Sequence, residues 1–90
     1  MMNITGEEFT TLAINIGLAV ATFLLNTGFA LQAIQLCEEC LILLNNGDLG
    51  NESTVTKVYR QRILILKKKA GFTVYNSTSF EQLLLYHEVV

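Results

Sequence analysis

The sequence predicts an all-α fold, a single domain built from antiparallel helix hairpins. Three observations carry that reading. Proline is absent and glycine occurs only six times in 90 residues, so little interrupts a helix once it has begun. Apolar residues recur at three- and four-residue intervals, the spacing of one helix face. Two capping boxes, Thr5-Gly6-Glu7-Glu8 and Thr78-Ser79-Phe80-Glu81, stand just before such runs. In each, a hydroxyl and a carboxylate satisfy N–H groups that a helix start leaves free.

The elements follow in order. The first helix runs from Gly6 to about Asn26 and is apolar on most sides, with Glu7 and Glu8 at the positive end of its dipole. Asn26-Thr27-Gly28 is a turn signal. Ala30, Ala33, Ile34, Cys37, Leu41 and Leu44 then predict a second helix ending near Asn45. Residues 46–51, rich in Asn and Gly, predict a loop. A third helix starts near Glu52, capped by Asn51 or Ser53, and turns Val55, Val58, Tyr59, Ile63, Leu66 and Ala70 inward. Lys67, Lys68 and Lys69 suit its last turn and Gly71 its stop, so Phe72 to Asn76 reads as a loop or short extended piece. Ile63-Leu64-Ile65-Leu66 also fits a strand core. The second capping box opens a fourth helix carrying Leu83, Leu84, Tyr86, His87 and Val90. The expected organisation is a hairpin over 6–45, a loop over 46–51 and a hairpin over 52–90.

Composition narrows the function classes. Hydrophobic residues make up 51% and charged residues 16%, and so short a chain has too little interior to hide that apolar share. The net charge is −2, but no Lys or Arg precedes Lys57. The acidic first half and the basic stretch from Lys57 to Lys69 favour contact with each other. Six cations without a glycine-rich loop or interleaved aromatics argue for a solvated helix face rather than a nucleic-acid site. Cys37 and Cys40 flank Glu38 and Glu39 in mid-helix, with His87 the sole histidine. A metal site needs more ligands, and the acidic neighbours keep thiols protonated. These cysteines read as small packing residues in a reducing, cytoplasmic setting. No catalytic set, metal or cofactor is expected, because no Ser or Cys motif offers His87 a nucleophile, and its neighbours Tyr86 and Glu88 fit a helix surface. The sequons at Asn3, Asn51 and Asn76 matter only in a secreted chain. The run from Leu12 to Ile34 supplies the alternative reading, a small membrane-associated helical protein with residues 12–34 inserted. That run is interrupted by Asn15, Thr22, Asn26 and Gly28 and has acidic flanks, so a span is not the first expectation.

The segment from Asn15 to Leu43 resembles a tetratricopeptide repeat. Ala21 falls on the small position of the first helix, Gly28 on the turn, Ala33-Ile34 on the Ala-Ile pair and Cys40-Leu41 on the later Ala-Leu pair. Gly17 stands where the family has a large aromatic, Leu24 where it has Tyr, and Cys37 where it has another aromatic. A second, degenerate copy aligns Gly71 with Gly28 at a spacing longer than the family's usual length of about 34 residues.

The resemblance implies a right-handed solenoid fragment of about four helices, a protein-interaction or scaffold module without catalysis. It implies a concave groove lined by the first helix of each repeat. Asn15, Leu18, Thr22, Leu25 and Asn26 would face it from the first, and Val58, Gln61, Ile65 and Lys68 from the second. Amides there can hold the backbone of an extended peptide. The local alternative has Asn26 capping the turn, Thr22 bonding a helix carbonyl and Asn15 meeting a water. An incomplete solenoid leaves end faces uncovered. A protein or peptide partner is therefore expected, together with self-association as a homo-oligomer, a helix-exchanged dimer being one form.

Overall fold

The computed structural model describes residues 5–47 and 53–77. They form three helices, α1 (Gly6–Asn26), α2 (Ala30–Asn46) and α3 (Thr54–Ser77), and there is no strand among the described residues. The protein is all-α. The expected fourth helix, with its capping box at Thr78 and with His87, lies outside the described residues, as do most of the expected loop and the sequons' Asn3 and Asn51.

α1 begins where the capping box places it. Thr5 Oγ1 accepts from the Glu8 N–H at 3.0 Å, and the Glu8 carboxylate accepts from the Thr5 N–H at 3.4 Å. The helix ends in a Schellman arrangement. The Phe29 N–H donates to the Leu24 carbonyl at 2.8 Å and the Gly28 N–H to that of Leu25 at 3.4 Å. Gly28 has φ 94°, the left-handed conformation that a residue without Cβ adopts without strain. Chain reversal here is thus written into one glycine.

α2 packs antiparallel on α1. Thr10, Ile14, Gly17, Ala21 and Leu25 form the buried face of α1; Ala30, Ala33, Cys37, Cys40 and Leu44 form that of α2. Four of these ten are alanine or glycine, which lets the backbones approach. A Cβ on Gly17 would lie 2.5 Å from Cys40 Sγ. Gly17 therefore does not hold an empty aromatic position; it is the point of closest approach. At the open end of the hairpin a Cβ on Gly47 would lie 2.6 Å from Thr10 Cγ2.

α3 lies along α2 in the opposite direction. Glu38 pairs with Lys67 at 3.6 Å, and Asn45 accepts from Arg60 at 3.3 Å, so the register descends on one helix as it rises on the other. The ion pair is solvated on both sides and contributes little on its own, roughly 0–1 kcal/mol. Ser53 is the cap, accepting from the Thr56 N–H at 3.1 Å.

Two expectations for α3 are corrected. Gly71 does not stop the helix, and Phe72 to Asn76 is not a loop or extended piece; α3 continues to Ser77. The buried and half-buried positions Tyr59, Ile63, Leu66, Ala70 and Val74 explain why. Their helical spacing runs through Gly71, and burial of Ala70 and Val74 outweighs the modest cost of one mid-helix glycine, about 1 kcal/mol. The Thr73 hydroxyl donates to the Lys69 carbonyl across the same turn. Val55 and Val58 are exposed rather than inward; Thr56 takes the buried position. The segment Ile63 to Leu66 is helical, not strand.

Candidate functional site

A groove of about 720 Å³ lies between α1 and α3. Asn15, Leu18, Ala19 and Thr22 line one wall; Arg62, Ile65, Leu66 and Lys69 line the other. Both helices lean on α2, so α2 sets the separation of the two walls. A hydrogen bond crosses directly from α1 to α3, with Asn15 Nδ2 donating to Tyr59 Oη at 2.9 Å. Arg62 is held over the Tyr59 ring, 5.8 Å from its centre, within range of a cation–π attraction.

The structure brings together some of the expected partner-binding residues and separates others. Asn15, Leu18, Thr22 and Ile65 share the groove. Leu25 does not: it is 8% exposed and belongs to the core between α1 and α2. The inner face of α1 runs Ile14, Gly17, Ala21 and Leu25, so the residue that the repeat resemblance put in the groove lies on the side packed against α2. Asn26 is exposed at the end of α1, outside the groove lining, and the turn beside it is tied by the Thr27 hydroxyl, which donates to the Phe23 carbonyl at 2.8 Å.

Gln61 and Lys68 line a shallow depression on another face of α3, with Lys57, Arg60, Leu64 and Ile65. Val58 lines neither. The groove wall of α3 is instead Arg62 and Lys69, each one residue further along. Tyr59, Ile63, Leu66 and Ala70 do face inward as expected, so the core face of α3 stands; it is the face turned to α1 that carries Arg62 and Lys69. The basic run Lys67-Lys68-Lys69 contained this information: one lysine pairs with α2, one faces away and one faces the groove.

The local reading holds for Thr22, whose hydroxyl donates to the Leu18 carbonyl at 2.8 Å. The Asn15 amide is engaged by the Tyr59 hydroxyl. The groove is thus apolar on its floor, uncharged along α1 and positive along α3, a combination that suits an acidic, partly aliphatic chain.

Cys37 and Cys40 are buried, with Cys37 fully inaccessible. Burial pushes both thiols above their ordinary value of 9.0. The neighbouring Cys40 and Glu38 push Cys37 further while Lys67 opposes them, and Glu39 adds to the rise at Cys40. The native state therefore holds these protons more tightly than the unfolded chain. Stability is full below pH 9.0 and falls as pH rises from there through the native values. The thiols are expected to resist iodoacetamide at pH 8 in the folded protein and to react in urea. Equal labelling rates in both states would show that they are not enclosed. Among the described residues, no three His, Cys, Asp or Glu side chains gather as a metal site would require.

α1 is also long and apolar enough to cross a membrane, at 21 residues and a hydropathy of 1.7, with 22% of that window buried. It ends at Asn26, and Gly28 reverses the chain, so residues 12–34 are not one continuous segment. Comparison with family models, curated proteins and solved structures finds no match to this chain.

Proposed function

We propose that this chain is a tetratricopeptide-like scaffold module that binds an extended acidic peptide in the α1–α3 groove, without catalysis and in the cytoplasm. The observation that carries this reading is the groove itself. Two helices of the same direction, α1 and α3, line it, and the helix between them supports it from behind. That is how the first helices of successive repeats would stand. Gly28 at the turn and the small residues Ala21, Ala33 and Cys40 at the crossing support the same reading. The fourth helix of a second repeat would come from residues 78–90, outside the described residues.

Arg62 and Lys69 give the ligand its sign, and Asn15 supplies an amide beside them. The test is a fluorescence-anisotropy titration of extended peptides that alternate Asp or Glu with Leu or Val. Binding is expected in the micromolar range, weakening with salt. Arg62→Glu with Lys69→Glu should lower affinity by roughly tenfold or more, about 1.4 kcal/mol, whereas Lys57→Glu, outside the groove, should leave it nearly unchanged. Affinity that ignores the groove pair, or no binding by any such peptide, would overturn the proposal.

The second reading is membrane association through α1, and the observation favouring it is the helix's length and hydropathy. In that case the span would be Gly6–Asn26, and the chain would partition into detergent rather than remain in the soluble fraction.

A further inference from the structure

α1 carries an apolar stripe that no other described element covers. Phe9 is 60% exposed, Leu12 51%, Ile16 55%, Val20 43% and Phe23 65%. At about 100° per residue these five fall within an arc of roughly 80°. That is the narrow seam of a helix meeting one other helix, and it lies well away from the face packed on α2.

The stripe reads the same in both directions about Ile16. Leu12 and Val20 lie four residues either side of it, and Phe9 and Phe23 seven. Ala13 and Ala19 lie three either side and form the small flanks of the seam. An isologous antiparallel interface needs this symmetry, because each residue must be complementary to its mirror position on an identical chain. We propose that α1 pairs with α1 of a second copy, antiparallel, about a two-fold axis at Ile16. Ile16 then meets itself, Leu12 meets Val20 of the other copy, and Phe9 meets its Phe23.

Charge agrees with this alignment. It carries Glu7 and Glu8 of one copy to the level of Leu24 and Leu25 on the other, the end of α1 where Lys69 lines the groove. No charged residue lies between Glu8 and Glu38, so the seam itself holds no like-charge pair. A lipid surface is the weaker occupant. Helices that lie in the headgroup layer present Lys and Arg on the polar face, and this chain has neither before Lys57.

Area sets the strength. Two phenylalanines and three aliphatic side chains at these exposures offer on the order of 400–500 Å² per copy. A standard stable interface uses about 800 Å² per partner, so the dimer is reversible and concentration-dependent. This inference stands apart from the peptide-groove reading, since the seam variants below leave Arg62 and Lys69 in place.

The experiment is sedimentation of the full chain from about 1 to about 100 µM. The weight-average mass is expected to climb from monomer toward dimer. Ile16→Glu places two carboxylates on the axis and should raise the dissociation constant by roughly tenfold or more, with an unchanged circular dichroism spectrum and, at about 1 µM where both are monomeric, an unchanged melting curve, because Ile16 is outside the core. Orientation is read by oxidising Leu12→Cys and Val20→Cys variants. Mixed together they should form a cross-linked dimer; each alone should not, because like positions are then about 12 Å apart along the helix. A monomer at every concentration, a dimer unmoved by Ile16→Glu, or cross-linking of Leu12→Cys with itself would overturn the proposal. So would sedimentation of the wild type with phosphatidylglycerol vesicles that Ile16→Glu abolishes, which assigns the seam to a membrane instead.

Discussion

Ile63→Ala is expected to cost about 2–5 kcal/mol and to lower the melting temperature by at least ~10 °C. Ile63 is fully buried and sits at the centre of the inward face of α3. Removing its side chain leaves a cavity in the core where α3 packs on α2, lined by close-packed side chains that relax only in part. A domain of this length holds only ~5–14 kcal/mol in total, so the loss is a large fraction of the whole. Thermal unfolding followed at 222 nm checks it. A melting temperature within ~2 °C of wild type would mean that α3 is not anchored through Ile63.

Gly17→Ala is expected to destabilise by about 1–3 kcal/mol, although alanine is the better helix former by about 1 kcal/mol. The added Cβ would stand 2.5 Å from Cys40 Sγ, where carbon and sulfur need well over 3 Å. The sign depends on that sulfur. In a Cys40→Ala background the obstruction is gone, and Gly17→Ala should become neutral or stabilising. A double-mutant cycle by urea unfolding measures the coupling. Additive effects would show that the two helices do not meet at this pair.

Much of the fold was legible in the sequence because its signals are local. The Thr5 to Glu8 box fixes one helix start, Gly28 fixes a turn, and the alternation of Ala30, Ala33, Cys37 and Leu44 fixes the face of α2. The failures came where two signals conflicted. Gly71 after three lysines is a plausible helix end, and only tertiary burial of Ala70 and Val74 carries α3 past it. The groove residues of α3 were displaced for another reason. The repeat resemblance implied Gln61 and Lys68 for the groove, whereas the packing of α3 on α2 turns Arg62 and Lys69 there. A threonine is a weak predictor of burial, and here it is buried at a capped helix start, beside Ser53. Leu25 was misplaced for a different reason: α1 is apolar on nearly every side, so hydropathy alone does not distinguish its core face from its open ones. The seam about Ile16 needed the exposure of each side chain before its symmetry could be seen.

α2 touches both other helices along its length, while α1 and α3 meet chiefly at the bond between Asn15 and Tyr59. The groove walls are therefore mounted on two separate interfaces that share a backing. A small roll of α3 on α2 about Tyr59 would change the separation of Thr22 and Lys69 at the far end and leave the α1–α2 hairpin as it is. A peptide held there, as proposed, would set the spacing of that end, much as an object sets the jaws of a caliper.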